Sequence, residues 1–374
     1  MRGYFIGLQE AKVPAINQVL EQIVRMVVVY LLAARFVPRG LEYAAAVAVI
    51  AIVAEEIFSC VFVFISYRVF KRKRRLNKKP TLTSRQVFGL IMGMALPLTG
   101  NRVTGSLLTA WENVLIPARL QLYGMSASDA ISEFGRITGM AVPLIFFPTA
   151  VLTALSVTLV PAVAEAAAAG NMRRISTATS KGLLFASVTG MGAAALFVFF
   201  SHELGMAIYN QPIGLMLQLL GIMAPFIYMQ IILSGVLNGL GCQLFIFRNS
   251  IISSGITIAA TFFFVPRFGL PAYIFGWLLS LVVIIALGLK RIRRHIDFEL
   301  KFSNWLVKPV LAAALAGVLA RVFANQLFMD ALGLRPGLAV TIGLMMLVYL
   351  WGIMLSGCIT KEEVQGLFKA RSNQ

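Results

Sequence analysis

The stretch "ALPLTGNRVTGSLLTAWENVLIPARLQLYG", residues 95–124, decides how this chain is read. It has the apolar length of a membrane helix, which needs about 20 mostly apolar residues. It also carries Arg102, Glu112 and Arg119, with Asn101, Thr104, Ser106, Thr109 and Asn113 between and beside them. A charge near the middle of a bilayer is costly, and chains keep one there mainly when it faces a cavity, a partner or a substrate. On a helix Arg102 and Glu112 stand about 80° apart and about 15 Å along the axis, while Glu112 and Arg119 share a face. Two readings follow. Arg102 offers the planar fork that suits a phosphate or diphosphate, or it pairs with a buried carboxylate and holds the fold.

The rest of the chain fits a membrane setting. Of its 374 residues 59% are hydrophobic and only 13% charged, and the mean hydropathy is +0.84. A soluble domain carries about 25% charged residues, so the expected class is all-α, a polytopic membrane protein. No polar stretch is long enough to build a soluble domain. Cys60, Cys242 and Cys358 lie far apart, and His202 and His295 are isolated. That spacing offers no metal site and no disulfide framework, and no cofactor is expected.

About ten membrane segments are expected, near 14–33, 41–66, 88–122, 133–162, 181–200, 213–236, 246–265, 270–289, 305–325 and 337–357. Pro97 and Pro117 in the third, and Pro143 and Pro148 in the fourth, predict bent helices, because proline removes a backbone hydrogen bond. Lys and Arg concentrate in alternate loops, most strongly in "YRVFKRKRRLNKKPTLTSR" (67–85) and "KRIRRH" (290–295). By the positive-inside rule both termini are expected in the cytoplasm. The net charge of +18 is then explained by basic loops beside anionic lipid rather than by nucleic acid, and no aromatic residues interleave with "KRKRRLNKK" as a stacking platform would need.

Further polar residues lie inside other segments. Gln18, Glu21, Gln22 and Arg25 in "NQVLEQIVR" fall on one helical face, with Glu21 and Arg25 in the favourable i, i+4 order. They read either as a packed polar stripe or as a cavity lining. Glu55 and Glu56 in "AIVAEEIFSC" point about 100° apart and cannot share one partner. They are candidates for proton or cation coupling, or a packed polar pair. Glu133 and Arg136 are expected at the interface. Gln230, Asn238 and Gln243 are scattered polar groups of later helices. The last two segments have almost no internal polarity and should face lipid over much of their surface.

No GxSxG, P-loop, HExxH or acidic metal motif is present. A secondary transporter or flippase is expected rather than an enzyme, with its substrate near the midplane on polar, broken helices.

"RGYFIGLQEAKVPAINQVLEQIVRMVVVYLLA" (2–33), "ALPLTGNRVTG…WENVLIPARL" (95–120) and "LTALSVTLVPAVAEA" (152–166) resemble the stage V sporulation protein B family. That family belongs to the multidrug/oligosaccharidyl-lipid/polysaccharide (MOP, MATE-like) exporter superfamily, which includes lipid II flippases. The family typically has Gln where this chain has Ile6. The resemblance implies fourteen helices, of which this chain supplies the fifth to the fourteenth and lacks the first four. It implies a remnant of an N-terminal lobe over 1–84, a six-helix C-terminal lobe over 85–300, and two extra helices with a cytoplasmic tail over 301–374. The implied function is flipping an isoprenoid-diphosphate-linked oligosaccharide, lipid II-like or another envelope polysaccharide precursor, across the bacterial cytoplasmic membrane by alternating access. On that reading Arg102 meets the diphosphate. Glu112, Asn113 and Asn101 bind sugar or hold Arg102, and Glu21 and Arg25 line the cavity from the opposite lobe. The last two helices form a groove for the lipid tail. The implied partners are a lipid-linked sugar, membrane lipids and a coupling H+ or Na+, on a monomer. A cation-coupled multidrug exporter of the same superfamily, and a non-transporting scaffold in wall or spore-cortex synthesis, are the alternatives. Arg102 opposes a cationic cargo, since like charges repel strongly at low dielectric.

Overall fold

A computed structural model describes residues 4–5, 12–73, 83–294, 303–324 and 332–358. Every regular element among these residues is a helix. All ten expected segments are helical, and eight helices among the described residues are long and apolar enough to cross a membrane. The protein is an all-α polytopic membrane protein. The polar segments, 12–36 and 84–122, are not among the eight. The basic run at 74–82, His295 and the tail beyond 358 lie outside the described residues.

The chain divides into two compact units, Met1–Gly89 and Leu90–Gln374. The first is a hairpin of α1 (Lys12–Phe36) and α2 (Leu41–Lys73). On α2 the buried positions are Val47, Ala51, Glu55, Ser59 and Val63. They recur every fourth residue, so one narrow stripe faces α1 and the rest of this apolar helix is open. Tyr4 packs edge-on against Tyr67 of α2, with ring centroids 5.1 Å apart.

The helix α3 (Ser84–Leu122) has 39 residues, about 58 Å of length, well beyond the roughly 30 Å of a hydrocarbon core. α3 runs as one helix through Pro97 and Pro117, the positions where bends are expected. The break falls in the following segment. There α4 (Ala127–Arg136) gives way to a π turn at Ile137–Ala141, then α5 (Val142–Phe146), a gap at Phe147–Pro148, and α6 (Thr149–Ala168). Pro148 cannot donate to the carbonyl four residues back. The Thr149 hydroxyl donates to the Phe146 carbonyl at 2.5 Å and satisfies one group freed at the gap.

The larger unit continues with α7 (Met172–Phe199), α8 (Ser201–Tyr209), α9 (Gly214–Gly239), α10 (Gln243–Phe268), α11 (Leu270–Arg293), α12 (Lys308–Leu319) and α13 (Leu334–Leu355). The heart of the unit is the α7–α9 pair. A Cβ added at Gly190 of α7 would sit 2.4 Å from the Pro225 Cα of α9, so the two backbones are as close as two helices can come. Lipid tails are as apolar as leucine, so helix association in a membrane relies on such close packing. Tyr228 of α9 is fully buried and donates to the Ile145 carbonyl at 2.9 Å, which ties α9 to the broken segment.

The last two helices pack on α7. Tyr349 of α13 donates to the Val188 carbonyl at 2.7 Å, and the Ser187 hydroxyl donates to the Trp305 carbonyl. The buried residues of α13 lie on one face, and Leu347, Leu350, Trp351, Met354 and Leu355 are exposed on the other. The C-terminal end of α12 and the start of α13 are pinned to α8. Arg321 forms an ion pair with Glu203, and Arg335 Nε donates to the Ala207 carbonyl at 3.1 Å.

Candidate functional site

Arg102 lies near the middle of α3. It is about 27 Å from the start of the helix and about 30 Å from its end, so its side chain reaches neither. It is exposed, and it has no hydrogen-bond or ion-pair partner among the described residues. The reading in which Arg102 pairs with a carboxylate has no carboxylate to point to among those residues. Asn113 is exposed on the same helix. Asn101 belongs to α3 as well, but its side chain lies outside the described set.

Glu112 and Arg119 do share a face, and that face meets α10 and α11. Glu112 is half-buried within electrostatic reach of Tyr273 on α11. The Arg119 guanidinium stacks 3.6 Å from the centre of the Phe262 ring on α10. Such a stack stabilises a guanidinium out of water by about 2 kcal/mol. Tyr123 closes the same seam against Gly269, whose positive φ of 67° makes the tight turn between α10 and α11. The lower half of α3 is therefore docked, with Ile116 and Leu120 fully buried, while Arg102 stands clear. The structure does not bring Arg102 and Glu112 together.

In the smaller unit, Arg25 of α1 forks onto Glu55 of α2. Its Nε donates to Oε2 at 2.5 Å and a second guanidinium nitrogen donates to Oε1. This bidentate arrangement fixes orientation as well as charge. The i, i+4 spacing pointed to Glu21 and gave no sign of this partner on the other helix. Glu21 accepts from the Asn17 amide at 2.8 Å, and the same amide donates to the Ser59 hydroxyl at 3.0 Å. Adjacent residues diverge by about 100°, and Glu56 is exposed while Glu55 is buried in the seam. Of the two coupling candidates, then, Glu55 is held by an arginine and Glu56 is open. Glu133 and Arg136 pair with each other at 3.5 Å.

Sequence reading missed a group in the larger unit. Gln230 and Ser234 of α9 and Asn249, Ser250, Ser253 and Ser254 of α10 line one cavity of about 230 Å³, closed on its third side by α11. Gln230 and Ser234 also line an adjoining cavity of about 330 Å³ with Thr153, Ser156 and Trp277. The signal was present, because 230/234, 249/253 and 250/254 are all i, i+4 pairs, which fall on one face of their helix.

These features define a polytopic helical membrane protein with a cation halfway along one helix that is unpaired among the described residues, and a neutral polar cavity inside the larger unit. Residues 1–166 match the family described as polysaccharide biosynthesis protein. Stage V sporulation protein B of Bacillus subtilis (strain 168) is 26% identical over 313 residues, which covers 82% of this chain and 60% of that protein. Sporulation protein YkvU of the same organism is 25% identical over 165 residues, covering 44% of this chain and 37% of its own length. The chain thus spans 60% of the length of the first relative and less of the second. It is similar to stage V sporulation protein B and, over residues 1–166, to the polysaccharide biosynthesis protein family. Among solved structures, an outward-facing multidrug resistance MATE family transporter of the MOP superfamily aligns with a TM-score of 0.46 and 17% identity, over 70% of this chain and 61% of that one. A MOP superfamily transporter from Pyrococcus furiosus aligns with a TM-score of 0.43 and 18% identity, over 69% and 61%.

Proposed function

We propose that the protein carries an isoprenoid-diphosphate-linked saccharide between the leaflets of the bacterial cytoplasmic membrane, as a flippase and not as an enzyme. The observation that carries this reading is Arg102, exposed and without a partner among the described residues, halfway along α3. So far from either helix end its side chain has no route to the helix termini, and a diphosphate supplies the two oxygens its planar fork requires. The match of residues 1–166 to the polysaccharide biosynthesis protein family supports a role in supplying an envelope polysaccharide. Glu112, Asn113 and Asn101 are the further substrate-binding residues of α3 in this reading. Arg25, with Glu21 and Glu55 around it, belongs to the other lobe, and Glu56 is the open carboxylate available for H+ or Na+ coupling. Alternating access rocks the lobes about the diphosphate. The basic loops and both termini lie in the cytoplasm, and the open apolar face of α13 runs along the lipid tail.

The test is leaflet accessibility of a fluorescent isoprenoid-diphosphate disaccharide in proteoliposomes containing the chain. Arg102→Ala is expected to abolish transfer, and Arg102→Lys to restore a minor part, because lysine is a point charge without the fork. Full transfer by the alanine variant would remove the diphosphate assignment.

A further inference from the structure

The cavity between α9, α10 and α11 has no place in the account so far. Asn249 is nine-tenths buried, with 9% of its surface exposed, and its side chain lines the cavity. It has no hydrogen-bond partner among the described residues, and neither have the side chains of Gln230, Ser234, Ser250 and Ser254. Only Ser253 is engaged, donating to Ser280 at 3.1 Å. Buried polar groups in folded proteins nearly always have partners, and leaving an amide or hydroxyl dry costs on the order of 1–3 kcal/mol. Asn249 is buried, and the partly exposed Gln230, Ser234, Ser250 and Ser254 face the same space, so the space suits a polar occupant.

The lining also says what kind. No Asp, Glu, Lys or Arg borders this cavity or the adjoining one, so neither a phosphate nor an ammonium group finds a counter-charge. Amides and hydroxyls both donate and accept, which matches a molecule whose own groups are hydroxyls. The adjoining cavity adds the flat apolar ring of Trp277 next to Gln230 and Ser234, a surface for the C–H face of a sugar ring. At about 230 and 330 Å³ the two spaces approach the size of small-molecule sites, roughly 300 Å³ and upward. A lipid chain would leave all five polar groups unsatisfied.

We infer that this cavity is a saccharide subsite, taking a neutral sugar of the lipid-linked substrate on Asn249, Gln230 and Ser234 with Trp277 against its ring. The inference rests on the proposed function and adds to it a division of labour. Arg102 recognises the diphosphate, and the α9–α10 cavity recognises the sugar.

The experiment uses the full chain in nanodiscs and two probes, a fluorescent isoprenoid-diphosphate disaccharide and the same isoprenoid diphosphate without sugar. The unaltered chain is expected to bind the glycosylated probe about tenfold more tightly or better, since a site built to hydrogen-bond hydroxyls rejects the analogue lacking them. Asn249→Leu and Trp277→Ala are expected to bring the two affinities within about threefold of each other by weakening the glycosylated probe alone. Ser254→Ala, a milder change, covers the case in which a larger substitution prevents folding, and should narrow the gap in the same direction. Arg102→Ala should weaken both probes together. Equal affinities in the unaltered chain, or a gap that none of the cavity variants narrows, would overturn the saccharide subsite and leave the flippase reading standing. Binding of neither probe would overturn the proposed function and the subsite with it.

Discussion

The α1–α2 hairpin and the α7–α9 pair are both two-helix contacts in a membrane protein, and they are held in different ways. The hairpin has a polar seam, in which Arg25 forks onto Glu55 and Asn17 bridges Glu21 and Ser59. The α7–α9 pair has a seam of shape, with Gly190 against Pro225 and Gly221 against Phe197, where added Cβ atoms would meet neighbours at 2.4 and 2.7 Å. In hydrocarbon an apolar side chain gains little by leaving lipid for protein. Two routes to association remain, close backbone approach and polar pairing, and these two helix pairs each rely on a different one. A seam of shape tolerates no extra atom. A seam of charge tolerates volume but not the loss of one partner.

Gly190→Leu tests the comparison with the largest expected effect. The new side chain collides with backbone, and the cost should exceed the roughly 1–3 kcal/mol of ordinary overpacking. Size-exclusion chromatography in mild detergent is expected to show loss of the monodisperse peak, and a normal profile would mean that α7 and α9 can move apart. Glu55→Leu ranks second. It leaves Arg25 facing a gap, so the thermal midpoint in detergent should fall, whereas Arg25→Met with Glu55→Leu should recover most of the loss, because breaking a pair is worse than replacing both members. Equal midpoints for single and double variants would show that the charge seam does not hold the hairpin. Tyr349→Phe removes one buried hydrogen bond, to the Val188 carbonyl, and should cost about 1 kcal/mol in reversible unfolding from mixed micelles. Arg102→Ala sits at the other end of the scale. With no partner to lose, it should change stability by less than about 0.5 kcal/mol while removing transport, and a large stability loss would place Arg102 in a packed contact instead.

Much of this was legible in the sequence. Helices occupy all ten expected segments, because runs of some 20 apolar residues have only one way to satisfy their backbone in lipid. Arg102 was legible for the same reason, as a charge is conspicuous in such a run. Partners were harder to read. Arg25 was matched to Glu21 by spacing along one helix, and the fork onto Glu55 spans 30 positions. Prolines marked both the third and the fourth segments for bends; α3 continues as one helix through Pro97 and Pro117, while the fourth segment breaks at Phe147–Pro148, where it packs against α9.

Composition alone settled the class of this protein, its helices and the residues whose chemistry is out of place in a membrane, since solvation by lipid acts on every residue where it stands. Which polar residues are spent on one another and which are left open was decided by the packing. Glu55 and Arg25 became a seam. Gln230, Ser234 and Asn249, unremarkable along the chain, came to face a common space because α9 and α10 turn the same face toward α11. That outcome depends on the rotation of one helix against another, which close contacts such as Gly190 on Pro225 set and no single segment encodes.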